Sequence, residues 1–503
     1  MKKGFETNVG EIRRKVFVEI ARIAYESENL VSDIEAIPYK ITPSETPRYR
    51  ESVYRERAIA SERVRLALGM SLNPQDRPAH ITNGLEASNI SDKYYEPPLM
   101  QVIPSACAKC EENTYVVTNM CRACVARYCI NACPKDAVFV GDDGRAEIDQ
   151  KKCIKCGKCK VSCPYEAIIH KVRPCAGACG VDAIKNDSLG RATIDTDICV
   201  ACGQCMISCP FGAIADKSQI YQLIQAIKKG DEVVAEVAPA IIGQFGKDVP
   251  LEKIKAALKE VGFQEVFEVA NGADVEAAAE AKHYVNEVVT GKLPFLLTSC
   301  CPSWIRLAKT QFPETIDNIS HALTPMVATA RSIKQKRPSA RVVFIGPCAA
   351  KKLEAMRKSV RSDVDFVITF EELAAIFEAK GIDFNKLSVQ SANRDEASGA
   401  GRGYGVAGGV AAAIEGCIHA YYPGVAVKVE HAEGLTECKK MLLLAKHGKK
   451  EGCLIEGMAC HGGCVAGAGV NIHADQGAAA VKKFAEESHK KLPEKELSEV
   501  KLP

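Results

Sequence analysis

The sequence predicts a multidomain chain that combines α+β and α/β folds, and three observations predict it. Sixteen of the 24 cysteines fall between Cys107 and Cys209. Before them lie only charged, helix-like stretches without a cysteine. After them, apolar runs rich in β-branched residues alternate with helical patterns. The boundaries that follow are 1–105 for a charged helical region, 106–215 for the cysteine-rich region, 216–490 for an α/β domain and 491–503 for a tail. With 503 residues, 47% hydrophobic and 26% charged, the chain can fill several cores and lacks the charge excess of a disordered one. Lys and Arg at 66 nearly cancel Asp and Glu at 63, so the net charge of +3 offers no footprint for nucleic acid or an anionic membrane.

In the first region, Ile12, Val16, Ile20 and Ile23 recur at helical spacing, which predicts an amphipathic helix. Glu19 and Arg22 interrupt any apolar segment after Arg13-Arg14, so that pair makes a poor export signal. No run of 18 or more apolar residues exists to span a membrane. The expectation is a cytoplasmic chain whose thiols stay reduced, which turns the cysteines from disulfides towards metal. Arg48, Arg50, Arg55, Arg57, Arg63 and Arg65 interleave with Glu51, Glu56 and Glu62, as on a solvated helix face laced with ion pairs. The sharper alternative is a docking surface for an acidic electron carrier.

In the second region, Cys153-x2-Cys156-x2-Cys159-x3-Cys163-Pro164 is the bacterial ferredoxin run, and Cys199-x2-Cys202-x2-Cys205-x3-Cys209-Pro210 repeats it. Cys121-x2-Cys124-x4-Cys129-x3-Cys133-Pro134 is the same run with two residues added in one gap. In such runs three close thiolates cap one 4Fe-4S cubane and the fourth ligates the neighbouring cluster. Zinc sites pair two separated C-x2-C knuckles instead. The region therefore reads as ferredoxin-like and iron–sulfur-binding. By the swapping rule, Cys121, Cys124 and Cys129 take Cys163, while Cys153, Cys156 and Cys159 take Cys133. Cys175-x3-Cys179 resembles the end of a run whose beginning is missing, so Cys179 completes Cys199, Cys202 and Cys205. Cys107-x2-Cys110 then joins Cys175 and Cys209 in a fourth site, or else is a spare knuckle and three clusters remain. Either way, clusters in series form an electron wire.

In the third region the expected strands are Glu232–Val237, Glu265–Val269, Pro294–Thr298, Arg341–Ile345, Asp363–Thr369, Val425–Val429 and Gly452–Ile455. The expected helices include Leu251–Val261, Val275–Val289 and Glu371–Lys380. Alternating strands and helices argue for a largely parallel sheet. Eight cysteines remain: Cys300, Cys301, Cys348, Cys417, Cys438, Cys453, Cys460 and Cys464. Three groups of them follow expected strands: Thr298-Ser299-Cys300-Cys301-Pro302-Ser303-Trp304, Gly346-Pro347-Cys348-Ala349-Ala350-Lys351, and Gly457-Met458-Ala459-Cys460-His461-Gly462-Gly463-Cys464. Ligands of open α/β sheets bind beyond the carboxyl ends of strands, so the three loops can converge on one crevice. Cys417, Cys438 and Cys453 read as buried apolar residues. The glycine-rich 398–403 and 405–409 segments follow no strand of a dinucleotide unit and read as loops at a helix start.

From about Cys107 to Ala474 the chain resembles the iron-iron (FeFe) hydrogenases, whose signatures are close to T-S-C-C-P-x-W, P-C-x-x-K-x-x-E and M-A-C-x-G-G-C. The resemblance implies an H-cluster domain catalysing 2H+ + 2e- ⇌ H2. Cys301, Cys348, Cys460 and Cys464 would hold the H-cluster cubane, and Cys464 would bridge to a two-iron subcluster carrying CO, cyanide and azadithiolate. It further implies that Lys351 donates to a cyanide, that Ala238, Pro239 and Met458 line the pocket, and that Cys300 is the proton-relay thiol. Glu280 and Ser320 match the next relay positions. His283 and Glu287 stand where well-known members have Glu and Arg. Residues 280, 283 and 287 share a helix face, so His283 can relay protons or can be an ordinary surface histidine.

Other departures are Gly346 in place of Met, Ala238-Pro239-Ala240 in place of A-P-S, and Gly467-Ala468-Gly469-Val470 in place of G-G-G-Q. They place the chain in a less studied branch. A ferredoxin is the expected electron partner, with maturation proteins supplying the subcluster. The rival readings are a prelamin-recognition-like, non-catalytic iron–sulfur protein of cluster assembly or regulation, and a hydrogen sensor.

Overall fold

The computed structural model describes residues 7–111, 113–388, 397–500 and 502; the outermost residues of the 1–105 and 491–503 regions lie outside that range. The first expected helix is α1 (Asn8–Glu26), capped by the Thr7 hydroxyl accepting from Gly10 N at 3.2 Å. It is followed by α2 (Leu30–Ile41) and α3 (Val53–Ala67). Val16, Ile20 and Ile23 are buried as the spacing predicts. They lie in one core with the largest sheet of the α/β domain, and Arg13 forms a buried ion pair with Glu371 at 2.6 Å. The change at residue 105 is thus one of composition; packing runs straight through it.

The arginine cluster meets expectation in part: Arg48 is exposed and Arg55 pairs with Glu51 one turn away, whereas Arg63 and Arg65 are buried. Arg63 and Arg65 are each 6% exposed. Arg65 donates to the carbonyls of Ser71, Ile81 and Asn83, Arg55 to Ser105, Arg50 to Ala106 and Phe211, and Arg63 to Gly212. A guanidinium carries five N–H donors, and here they satisfy loop carbonyls that have no strand partner. Arg50 and Arg63 tie the helical region to the cysteine-rich one, and Arg55 and Arg65 brace loops within the helical region itself.

Eight short strands lie in and beside the cysteine-rich region: β1 (Met100–Val102), just before it, then β2 (Thr114–Val117), β3 (Val138–Val140), β4 (Ala146–Ile148), β5 (Ile168–Lys171), β6 (Ile184–Asn186), β7 (Ala192–Ile194) and β8 (Ile214–Asp216). They pair antiparallel as β1–β8, β2–β5, β3–β4 and β6–β7. The α/β domain contains, in order, α4 (Ile220–Lys229), β9 (Val233–Val237), α5 (Leu251–Val261), β10 (Glu265–Glu268), α6 (Ala270–Tyr284), β11 (Phe295–Leu297), α7 (Pro302–Gln311), α8 (Pro325–Lys336), β12 (Arg341–Gly346), α9 (Ala349–Glu354), β13 (Phe366–Thr369), α10 (Phe370–Ala379), α11 (Gly409–Tyr421), β14 (Lys428–Glu433), α12 (Leu435–Lys446), β15 (Cys453–Met458) and α13 (Ala474–Glu486).

All seven expected strands form and every pairing among them is parallel. They make two sheets, however: β10-β9-β12-β13 and β11-β15-β14. The last-but-one strand runs over 428–433, later than expected. The expected helix 275–289 starts earlier, at Ala270, and its last turn, Val285–Val289, is a π-helix. Gly457 in β15 lets the two layers close, because a Cβ there would collide with the ring of Trp304, which is fully buried. Beyond β8, the ammonium of Lys352 lies 2.7 Å from Asp216 and 2.8 Å from Glu372, all buried. Among the described residues no helix is long and apolar enough to cross a membrane.

Candidate functional site

The three cysteine loops follow β11, β12 and β15, at the carboxyl ends of strands from both sheets. They converge as expected. One cavity of about 90 Å³ is lined by Cys300, Cys301, Cys348, Cys460 and Cys464, together with Lys351, Ala238, Pro239 and Met458. Cys202 of the cysteine-rich region reaches the same cavity. The amide of Gln204 donates to Cys460 Sγ at 3.5 Å, and a Cβ on Gly203 would strike Ala468. The last cysteine run is therefore packed directly against the cavity. Cys417, Cys438 and Cys453 are buried outside it, as expected.

Phe344 is a lining residue that motif reading missed. It lies two residues before Gly346 on the same strand face, and a Cβ on Gly346 would run into its ring. The phenyl ring thus covers the position where the resemblance expects Met.

Burial pushes every cavity thiol upward: Cys348 to about 11, Cys202 to about 12, and Cys300 and Cys460 well above the ordinary value. A metal cluster would have to displace these protons on binding. Lys351 behaves differently. Burial opposes its charge, yet Glu354 at 2.7 Å outweighs burial and raises it above the ordinary lysine value. Its ammonium also donates to the Cys300 carbonyl at 3.3 Å. Of three N–H donors, one is left for a ligand in the cavity. Six thiols around one space and a spare, fixed cationic donor suit an anionic iron–sulfur cofactor.

The expected relay residues also meet. Glu280 on α6 is fully buried, and its Oε1 accepts from Ser299 N at 3.0 Å. Burial pushes its carboxyl up to about 7, against the ionising influence of Ser320 and Ser299. Ser320 is buried beside it. His283 is half-buried and stacks on His321 with ring centroids 5.5 Å apart. Burial, then His321, lowers its pKa, with Glu287 opposing. Glu287 lies in the π turn and pairs with Lys292 at 3.2 Å. His321, exposed and adjacent to Ser320, was not found by motif, although its sequence position next to a relay serine was a signal. Glu276, one turn before Glu280 on the same helix face, was likewise missed.

The cysteine-rich region repeats its backbone four times. Lys109, Ala123, Lys155 and Ala201, each just before the second cysteine of a C-x2-C pair, have φ of 52°, 51°, 59° and 54°. Asp136, Glu166, Asp182 and Gly212, each three residues after a closing cysteine, have φ of 48°, 50°, 60° and 57°. Cys107-x2-Cys110 is therefore a knuckle equal to the others, and Cys175–Cys179 is the distant end of its run. One small cavity is lined by Cys107, Cys110, Cys175 and Cys209, and another by Cys121, Cys124, Cys129 and Cys163. Cys159 lies within electrostatic reach of Cys153, Cys133 and Cys156, and Cys205 within reach of Cys202, Cys199 and Cys179. All four groupings agree with the swapping rule. Arg173 clamps the split run, donating to the Cys110 carbonyl at 2.7 Å and to Gly190 O at 3.0 Å.

Thiols ringing cavities on repeated ferredoxin-type loops, docked against a cysteine-lined α/β crevice, define an iron–sulfur protein. Residues 145–168 and 192–215 each match a 4Fe-4S binding domain, and residues 231–468 match the C-terminal domain of the iron only hydrogenase large subunit. The chain is 31% identical over 377 residues to the periplasmic Fe hydrogenase large subunit of Nitratidesulfovibrio vulgaris, covering 64% of this chain and 85% of that protein. The chain belongs to the FeFe hydrogenase family. It is also 31% identical over 305 residues to iron hydrogenase 1 of Clostridium pasteurianum, covering 51% of this chain and only 53% of that protein. A shorter match, 29% over 154 residues, covering 30% of this chain and 27% of that protein, is to the cytosolic Fe-S cluster assembly factor NAR1 of Kluyveromyces lactis.

Proposed function

We propose that this chain is a hydrogenase that interconverts two protons and two electrons with H2. The observation that supports it best is the meeting, in one cavity, of Cys301, Cys348, Cys460 and Cys464 with the Cys300 and Cys202 thiols and a buried ammonium. Cys301, Cys348, Cys460 and Cys464 would hold the cubane of an H-cluster, with Cys464 bridging to the two-iron subcluster. When bound, that subcluster supplies the metal centre at which the H–H bond is made or broken. Lys351 would donate its spare N–H to an anionic ligand of the cofactor. Ala238, Pro239, Phe344 and Met458 keep bulk water out and so strengthen that charge. Cys300 holds a proton at Sγ, which passes to Glu280, then Ser320, and leaves by His283 and His321.

Electrons would come from a ferredoxin through 4Fe-4S clusters on the four cysteine groups, the group of Cys179, Cys199, Cys202 and Cys205 delivering to the cavity. Maturation proteins would install the subcluster, and the cytoplasm is the expected compartment. The deciding experiment is an infrared spectrum of chain matured anaerobically with the two-iron cofactor. Sharp CO and cyanide stretches that shift under H2 are expected. Their absence beside full accessory clusters would favour an assembly role like that of the NAR1 relative.

Two variants expose parts of this reading. Cys107→Ala is expected to remove the iron of one cubane, because Cys107 is buried in the split site and accepts from Ala192 N at 3.4 Å. Unchanged iron content would leave three accessory clusters. Glu280→Gln is expected to keep the CO and cyanide bands and to lose at least about 100-fold of turnover. It should also erase the pH limb near 7 set by that carboxyl. An unaltered pH profile would remove Glu280 from the route.

A further inference from the structure

We propose that Glu276 is a second carboxyl of the proton route, sharing one proton with Glu280 through the hydroxyl of Ser299. Its catalytic consequence rests on the hydrogenase reading, whereas the sharing itself stands on hydrogen-bond geometry. Glu276 lies outside the relay positions that the family resemblance supplies.

Glu276 and Glu280 stand four residues apart on α6, 1% and 0% exposed. Ser299 Oγ lies 3.1 Å from Glu276 Oε1, 3.1 Å from Glu280 Oε1 and 2.9 Å from the Ala322 carbonyl. A hydroxyl owns one proton, and a carbonyl can only accept. If Ser299 donates to Ala322, each carboxyl must carry a proton to bond Oγ. If it donates to one carboxylate, the other must be the acid. In every arrangement that keeps both Oγ–carboxyl hydrogen bonds, at least one of the two carboxyls is protonated. The Oε2 atom of each is buried without a hydrogen-bond partner, so two full charges here would be costly.

Two further neighbours place the pair near the cavity. Tyr404 lines the cavity, and its buried hydroxyl, itself without a hydrogen-bond partner, lies within electrostatic reach of Glu276 and Glu280. Glu276 and Glu280 both lie within electrostatic reach of the Cys300 thiol. Lys351 is the cation within reach of Glu276, and it is already paired with Glu354.

In the transfer step the proton on Glu276 Oε1 moves to Ser299 Oγ while the hydroxyl's own proton moves to Glu280 Oε1. Glu276 becomes the carboxylate, Glu280 the acid, Ser299 is unchanged and no electron moves. Because each H2 requires two protons, this pair keeps one at the cavity end while the next arrives.

The test is infrared spectroscopy of the full chain carrying its accessory clusters, in H2O and D2O at neutral pH, for wild type, Glu276→Gln and Ser299→Ala. The wild type is expected to show a D2O-sensitive carboxylic-acid C=O band that Glu276→Gln loses and Ser299→Ala shifts. A wild-type minus Glu276→Gln difference without an acid band would overturn the sharing, even in an active hydrogenase. In matured enzyme, Glu276→Gln should retain the CO and cyanide bands and slow turnover at least about 10-fold. Unchanged turnover would take Glu276 off the route. Wild type lacking CO and cyanide bands but keeping the acid band would sink the hydrogenase reading and leave the sharing supported.

Discussion

Cys300→Ala is expected to keep the iron content and the CO and cyanide bands of matured chain while losing at least about 100-fold of H2 turnover. Cys300 lines the cavity, is 8% exposed and sits beside Cys301, yet it lies outside the four cysteines that would hold the cubane. Burial, then the nearby Glu276, pushes it well above an ordinary thiol, so the side chain is a neutral S–H with a proton in hand. The substitution isolates that proton. Lys351 binds the Cys300 backbone carbonyl, which alanine retains. H2 evolution with a reduced electron donor, measured beside the infrared spectrum, decides the matter. Near-normal evolution would take the thiol off the route, and lost bands would make it a cofactor ligand.

Lys352→Met is expected to give the largest loss of stability, about 3–5 kcal/mol, because it strands two buried carboxylates. The Lys352 ammonium is 2% exposed, contacts Asp216 at 2.7 Å and Glu372 at 2.8 Å, and donates to the Lys217 carbonyl at 3.0 Å. It joins the end of β8 to the first turn of α10, where Thr369 and Glu372 form a capping box. Burial pushes Asp216 up, but Lys352 and Arg13 outweigh it and hold the carboxyl below its ordinary value. Lys352 is held above its own, burial being outweighed by Asp216 and Glu372. The pair's contribution is therefore complete between about pH 4 and about pH 10. It fades as pH falls through the depressed Asp216 value and as pH rises through the elevated Lys352 value. Anaerobic thermal unfolding at neutral pH checks the prediction, and a Met variant melting with the wild type would refute it.

Much of the fold was legible because its signals are local. Val233–Val237 and residues 342–346 are buried along their whole length, so mostly apolar stretches marked them as strands. How those strands divide into two sheets was not legible, since that depends on which edge each strand finds. Arg63 and Arg65 misled for the same reason. Their charge pattern suits solvent, but the loops folded over them present carbonyls that need donors.

What the sequence by itself determined is the chemistry held within single segments. The spacing within each cysteine run marks it as iron–sulfur-binding, because three close thiolates can cap one cubane wherever the run is placed. Cys300-Cys301, Cys348 with Lys351, and Cys460 with Cys464 stood out as three motif groups after strands, and their separate roles came from the family resemblance. Only the tertiary structure decided what lies across segments: that Cys107 and Cys110 share a cavity with Cys175 and Cys209, that Phe344 covers Gly346, and that Ser299 stands between Glu276 and Glu280. The physical reason is that a hydrogen bond or a shared cavity is fixed by distance in space. Covalent spacing sets that distance over a few residues, and packing alone sets it beyond.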